Sequence, residues 1–227
     1  SLARAKAAAP LWFSRWPKAD CVAVPISAGA VAFYSAPKRA GDPGLFFFNV
    51  SHPQSWTLPS LEFTTFHESI PGHHFQRALA EEDPDLHYIQ QKLYISAFNE
   101  GWALYTERLS DEMGLYSSDL ARLGMLHGDS LRAFRLVVDT GMHAKGWSRQ
   151  QAIDYGVAHT PHDPRTVAAE IDRYIGWPGQ ALGYMMGRLE IDRIRADAEA
   201  RLGDGFDMKG FHEAVLGAGT ITPWNPG

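Results

Sequence analysis

The densest group of residues able to do chemistry in this chain of 227 residues lies at positions 66–76, which read FHESIPGHHFQ. Three histidines, His67, His73 and His74, and the glutamate Glu68 fall within eight positions. Zinc prefers neutral imidazole nitrogens and carboxylates in a tetrahedral site with one open position. A glutamate beside the first ligand can take a proton from water on the metal. The segment therefore predicts a hydrolytic zinc site with His67 as a ligand and Glu68 as the general base.

The second histidine ligand departs from the usual helical spacing. In a His-Glu-x-x-His helix the two histidines lie one turn apart on one face, but here Pro71 holds the position of the second. On a regular helix, a residue seven positions after His67 returns to within about 20° of its direction, and one six positions after points about 120° away. Proline distorts a helix, and a bulge of two extra residues would bring His73 to the ligand position. We therefore predict His73 as the ligand and retain His74 for the case of a simple kink.

The third ligand is expected from a second helix at positions 98–107, which read FNEGWALYTE. Glu100 follows His73 by 27 residues, which allows the first helix to end at an Asp-Pro pair and the chain to return antiparallel beside it. Gly101 permits a close approach between helices. Glu107 lies on the same face as Glu100 and is either a partner behind a ligating histidine or an ordinary salt-bridge former.

The elements that must position these residues follow from patterning. Three β-prone runs, at 21–26, 30–34 and 45–50, are separated by segments rich in glycine and proline. From position 61 onward the pattern becomes helical. The predicted helices span 60–82, 86–113, 117–144, 148–157, 164–174, 179–202 and 207–216. The sequence thus predicts an α+β fold that is mostly α, with a small antiparallel sheet followed by a helical bundle that carries the metal site, in a single domain 1–227.

Composition excludes several classes of protein. Hydrophobic residues make up 45% of the chain, which is enough for a core and excludes disorder. The 21 basic against 26 acidic residues give a net charge of −5, so we expect no nucleic-acid partner. No apolar run is long enough to span a membrane. The single cysteine, Cys21, cannot form an internal disulfide and leaves a periplasmic or cytoplasmic location open.

Two family resemblances rest on these motifs. The segment at 98–107 resembles the second-helix segment of gluzincin metallopeptidases, whose Asn-Glu-Gly-Phe-Ala pattern in aminopeptidases supplies the third zinc ligand. The chain resembles more closely the DUF885 family of bacterial proteins, on the motifs at 67–76, 99–105, 135–143 and 173–184. This resemblance implies gluzincin-like metal hydrolysis without naming a substrate. Members are usually longer, which implies that the chain is the C-terminal catalytic portion of a protein whose N-terminal half would be its partner.

The gluzincin resemblance also implies a hydrogen-bond donor for the oxyanion, which those enzymes supply from a tyrosine or a histidine. Three residues are candidates here: His143, Arg173 and Tyr184. Tyr184 is preferred because a phenol donates without carrying a charge, and His143 is the second catalytic candidate. Arg173 is assigned to a supporting position behind the ligands, and its alternative is a salt bridge with Glu170 or Asp172.

The function expected from these residues is that of a zinc-dependent hydrolase, a metallopeptidase acting on a peptide or small amide through water activated by Glu68. The β-prone runs offer a sheet edge to which a peptide could add as a strand. Two alternatives remain open. One is a degenerate metal-binding protein of the same fold without hydrolytic activity, and the other is a hydrolase of non-peptide amides or epoxides.

Overall fold

A computed structural model describes residues 1–39 and 41–221. It is mostly helical with one small sheet, which confirms the predicted α+β class. Short 3₁₀ segments lie at Ala9–Leu11, Pro53–Ser55 and Gly203–Gly205. The helices and strands, in chain order, are α1 Leu2–Ala8, β1 Cys21–Ile26, β2 Ala32–Ser35, β3 Gly44–Asn49, α2 Leu58–Glu68, α3 His73–Glu82, α4 Tyr88–Lys92, α5 Ser96–Glu112, α6 Asp119–Lys145, α7 Arg149–His159, α8 Pro164–Gly176, α9 Leu182–Leu202 and α10 Met208–Gly217.

The sheet is mixed, with strand order β1-β3-β2. Strand β2 pairs antiparallel with β3, but β1 runs parallel to β3. The prediction of an antiparallel sheet is therefore wrong for the β1–β3 pair. The chain reverses once after β1 and once after β2, so β3 has the direction of β1. Strand β3 takes the central position because its run of leucine and phenylalanines, unlike an alternating pattern, presents apolar side chains on both faces.

The predicted helix 60–82 is divided into α2 and α3 by residues 69–72. The Ile70–Pro71 peptide bond in this break is cis. The backbone N–H of Gly72 returns to the carbonyl of Phe66 at 3.0 Å. A side chain at Gly72 would collide with the backbone carbonyl of His67, so the close return of the chain requires glycine there. The expected bulge is thus a complete break, after which His73 begins a new helix.

The predicted helix 86–113 is also divided, because the residues from Leu93 to Ile95 adopt extended dihedral angles between α4 and α5. The other five predicted helices correspond to α6 through α10, with ends that differ by no more than three residues. Within the described residues, no helix is both long enough and apolar enough to cross a membrane.

Helices α5 and α9 pack closely at a pair of glycines. A Cβ atom on Gly101 would lie 2.5 Å from the Cα of Gly187, so the two backbones meet with no side chain between them. Gly101 was expected to permit the approach of the helix that carries the histidines, but the helix that packs against it is α9. Since Tyr184 lies one turn before Gly187, the contact brings Tyr184 to the same end of the helix pair as Glu100.

The main hydrophobic core lies directly behind the break between α2 and α3. Phe66, Ile70, Phe75 and Trp102 are each no more than 1% exposed and belong to one cluster. Phe66 precedes the break and Ile70 lies in it. Phe75 follows the break, and Trp102 comes from α5. The chain on both sides of the break is therefore held by the same core as the helix that carries Glu100.

Candidate metal centre

Three ligand atoms converge where α2, α3 and α5 meet. The Nε2 atom of His67 lies 3.5 Å from Oε2 of Glu100, and Nε2 of His73 lies 3.4 Å from the same oxygen. All three ligand atoms lie within 4.8 Å of one another. Zinc bonds of about 2.0–2.1 Å at the tetrahedral angle place neighbouring ligand atoms about 3.4 Å apart. The donor types therefore suit a zinc ion, and the two distances between imidazole and carboxylate match the spacing of its ligands.

The helix break explains how His73 reaches this point. On a continuous helix its side chain would point away from His67, whereas here α3 starts anew at His73 in a different direction. The indole Nε1 of Trp102 donates to the carbonyl of Pro71 at 3.0 Å and holds the break against α5. The position of the second histidine is thus set by contacts with the helix that supplies the third ligand.

The other ring nitrogen of His67 has a buried partner. Its Nδ1 donates to Oε1 of Glu107 at 2.8 Å, and Nη2 of Arg132 lies 3.7 Å from the same oxygen. This bond directs the lone pair of Nε2 into the cleft. Burial lowers the pKa of His67, but the neighbouring carboxylates of Glu100 and Glu107 outweigh it and raise the pKa to about 9. A metal ion must therefore displace a proton from His67 when it binds.

The carboxylate of Glu100 is oriented by Tyr94, whose hydroxyl donates to Oε1 at 2.6 Å. The second oxygen, Oε2, is buried and accepts no hydrogen bond from the described residues. Burial opposes ionisation of Glu100, but the imidazoles of His73 and His67 outweigh it and hold its pKa well below the usual value. The charge of Oε2 faces the two imidazole nitrogens at 3.4 and 3.5 Å, and a cation held between these groups would contact it directly.

Glu68 lines the same cleft beside the ligands. Its side chain is buried, and Oε2 has no hydrogen-bond partner in the described part of the chain. Burial raises the pKa of Glu68, and the nearby charge of Glu100 adds to this effect against the opposing imidazoles. A raised pKa makes a carboxylate a stronger base.

His74 does not join this group. Its Nδ1 is hydrogen-bonded to the hydroxyl of Tyr34 at 3.0 Å, and its Nε2 to the carbonyl of Ala19 at 3.1 Å. Adjacent residues on a helix point about 100° apart, so His74 faces the sheet when His73 faces Glu100. Burial lowers the pKa of His74 to about 4. The simple-kink alternative, with His74 as a ligand, is therefore wrong, and His74 instead ties α3 to β2.

Tyr184 lies beside the candidate metal ligands. Its ring is stacked on that of His67 with centroids 6.3 Å apart, and it lines the cleft. The guanidinium of Arg135 lies 4.4 Å from the centroid of the Tyr184 ring. Burial raises the pKa of Tyr184, so its phenol keeps the proton that a donor requires.

The structure separates His143 and Arg173 from the ligands. His143 lies near the end of α6, where its Nε2 is hydrogen-bonded to the carbonyl of Tyr174 at 3.1 Å, and it is not among the described residues that line the cleft. Arg173 lies 3.5 Å from Glu170, which was its alternative partner, and 6.0 Å from the ring centroid of Tyr184. Arg173 therefore stands behind Tyr184 and contacts none of the three ligands.

The site opens into a cleft of about 440 Å³. Several residues that line it were not identified from the sequence: Tyr34, Arg77, Tyr94 and Asn99. Arg77 follows His73 by four positions, which places both on one face of α3, so helical spacing was an available signal. Tyr94 lies in the extended segment between α4 and α5, and nothing in its local sequence indicates that it reaches Glu100.

The solved structures similar to the chain include two putative lipoproteins. A putative lipoprotein from Colwellia psychrerythraea is 37% identical, with a TM-score of 0.93, over 97% of this chain and 39% of its own. A putative lipoprotein of unknown function from Shewanella oneidensis is 24% identical, with a TM-score of 0.76, over 96% of this chain and 43% of its own. The chain thus spans less than half the length of either relative. No protein of curated function matches it.

A family model, described as "Bacterial protein of unknown function (DUF885)", matches residues 1–223. The match includes every residue of the candidate metal centre and of the cleft around it. The chain therefore belongs to the DUF885 family of bacterial proteins.

Proposed function

We propose that the protein is a zinc-dependent hydrolase of the peptidase type. The observation that carries the proposal is the convergence of His67, His73 and Glu100 at zinc-ligand spacing, within a cleft that also contains the buried carboxylate of Glu68. A zinc ion held there would polarise a substrate carbonyl and make water a stronger acid. The family match and the relatives' descriptions name no activity, so the proposal rests on the site.

The residues of the chain divide the remaining work. Glu68 takes a proton from the attacking water and delivers it to the leaving amine, a transfer that suits its raised pKa. The hydroxyl of Tyr184 donates to the oxygen of the substrate carbonyl as negative charge develops on it. Glu107 keeps His67 in the tautomer that presents Nε2 to the cleft.

A peptide is the favoured substrate because strand β2 lines the cleft. In the described residues β2 pairs only with β3, which leaves its other edge without a strand partner. An extended peptide can form backbone hydrogen bonds with such an edge. A small amide would leave this edge unused.

The proposal is tested by Glu68→Gln, measured in the complete, zinc-loaded gene product. We expect the variant to retain stoichiometric zinc and to lose peptide hydrolysis by about 10²- to 10⁴-fold, the contribution typical of a general base. Zinc content is measured by elemental analysis, and turnover with a mixture of unmodified peptides. Glu199→Gln is the matched control, because Glu199 is an exposed carboxylate on α9 that pairs with Arg195.

Two results would contradict the proposal in different ways. Full hydrolysis by Glu68→Gln would remove Glu68 from the role of general base. Stoichiometric zinc in the wild-type protein together with no cleavage of any peptide would favour the metal-binding alternative over the hydrolase.

A further inference from the structure

Helix α3 carries a positive charge into the cleft. Arg77 lies one turn after His73 on the same face, and both line the cavity. Among the described residues around this cavity, Arg77 is the only lysine or arginine. The carboxylates there, Glu68 and Glu100, are already committed to the metal centre. A single guanidinium is therefore left beside the ligands, facing the space that a substrate would enter.

Most of the hydrogen-bonding capacity of Arg77 is unused in the described structure. A guanidinium has five N–H donors, but its contact here is 3.5 Å from Nη2 to Glu81, and its Nε is buried without a partner. Glu81 also faces Lys92 at 3.3 Å, so its charge is shared between two cations. By contrast, Arg195 on α9 forms a two-point pair with Glu112 at 3.0 and 2.7 Å.

The donors of Arg77 suit a carboxylate better than a neutral group. The planar fork of a guanidinium matches the two oxygens of a carboxylate, and such bonds are among the stronger ones in proteins. The negative charges of Glu68 and Glu100 would repel an anion that lacked this partner. An acidic group of the substrate is therefore expected at Arg77 and not elsewhere in the cleft.

The spacing limits where that carboxylate lies in the substrate. Residues four apart on a helix have Cβ atoms about 6 Å apart, and successive Cα atoms of a peptide are about 3.8 Å apart. A peptide whose scissile carbonyl lies at His67, His73 and Glu100 would thus bring a carboxylate one or two residues further along to Arg77. We propose that Arg77 binds the C-terminal carboxylate of the peptide and that the enzyme releases one or two C-terminal residues. This inference rests on the proposed hydrolase function.

The reaction needs water as its co-reactant. The peptide C–N bond breaks, a C–O bond to the water oxygen forms, and Glu68 carries one water proton to the leaving nitrogen. The products are a shortened peptide with a new carboxylate and a free C-terminal amino acid or dipeptide. Arg77 acts here as a specificity-determining residue, since it touches the substrate away from the bond that breaks.

The test compares matched peptides that end in a free carboxylate or in an amide, with the complete zinc-loaded gene product and mass spectrometry of the products. We expect the wild type to prefer the acids by about 10- to 100-fold, the value of a charge-assisted hydrogen bond. Arg77→Gln should raise KM for the acids and so bring the ratio of kcat/KM for the acids to kcat/KM for the amides close to one. Arg77→Lys keeps the charge but not the fork and should retain part of the preference.

Lys92→Gln is the matched control, because it removes the other cation beside Glu81 and does not line the cleft. Equal cleavage of acids and amides by the wild type would overturn the role of Arg77 and leave the hydrolase intact. Peptide amides with Asp or Glu after the scissile bond are a second comparison. If they are cleaved at the same rate as the peptide acids, the role of Arg77 in binding the C-terminal carboxylate is likewise overturned. The absence of any cleavage would instead contradict the proposed function. The wild-type preference tests the inference even if Arg77→Gln does not fold.

Discussion

His67 must present Nε2 to the cleft, and this orientation depends on one buried carboxylate. Glu107 accepts the Nδ1 hydrogen at 2.8 Å and is 1% exposed. Its second oxygen has no hydrogen-bond partner among the described residues, and Arg132 is 3.7 Å from the first. The negative charge of Glu107 is therefore directed mainly at the imidazole, where it makes Nε2 a stronger donor to a metal.

At the residue scale we predict that Glu107→Gln weakens zinc binding by about 10- to 100-fold, the usual effect of removing a carboxylate behind a ligating histidine. The glutamine keeps the shape and one acceptor but loses the charge. Zinc affinity is measured by competition with a chromogenic chelator. Glu112→Gln on the same helix is the control, since Glu112 pairs with Arg195 at the surface. An unchanged affinity in Glu107→Gln would show that its role is limited to packing.

At the scale of elements, helix α5 couples the third ligand to the position of the second. Glu100 and Trp102 lie on this helix, two residues apart, and the Trp102 indole donates to the carbonyl of Pro71 in the break. Trp102 is fully buried in the same core as Phe66 and Phe75. A movement of α5 would therefore displace both Glu100 and the start of α3, so the ligands keep their relative spacing.

We predict that Trp102→Phe lowers the stability of the fold by about 1–3 kcal/mol, because it leaves the carbonyl of Pro71 buried without its donor. Zinc affinity should fall in parallel, since the same bond positions His73. Urea denaturation and zinc titration measure the two effects. Trp177→Phe serves as control, because Trp177 is largely exposed and should change neither. Loss of stability with full zinc affinity would contradict the coupling between the break and the site.

At the scale of the whole molecule, His212 on α10 joins two distant parts of the chain. Its Nδ1 donates to the carbonyl of Trp12 at 2.9 Å, and its Nε2 is hydrogen-bonded to the hydroxyl of Tyr105 on α5 at 2.9 Å. His212 is 1% exposed and stacks on Phe13. Burial lowers the pKa of His212 from 6.5 to about 4, so the native protein holds it neutral.

This depressed pKa predicts a loss of stability in acid. Between pH 6.5 and 4 the unfolded chain takes up a proton that native His212 does not bind. The stabilisation is thus fully present above pH 6.5 and falls by up to about 1.4 kcal/mol per pH unit below it, or about 3 kcal/mol in total. His74 and His162, whose pKa values are also lowered, add to the wild-type slope. Urea denaturation at several pH values should show a smaller slope for His212→Gln, and an identical slope would contradict the assignment.

Local sequence was sufficient to predict the types of the candidate ligands and most of the helices. The types and order of His67, Glu68 and Glu100 indicated the chemistry of the site, because metal ligation depends on donor atoms that the residue type specifies. The helices α6 through α10 followed from apolar periodicity and capping residues, since both act within a few turns. Ser148 caps α7 and Asp163 caps α8.

Other features required long-range contacts. The choice of His73 over His74 depends on the direction in which α3 leaves the break, and that direction is held by Trp102, a residue 31 positions away from Pro71. The direction of β1 relative to β3 depends on the order in which the strands pair. Tyr184 meets His67 only through the packing of α9 against α5, and Tyr94 reaches Glu100 from the segment before α5. Residues far apart in the chain become neighbours only when the core forms, so no local pattern encodes their distances.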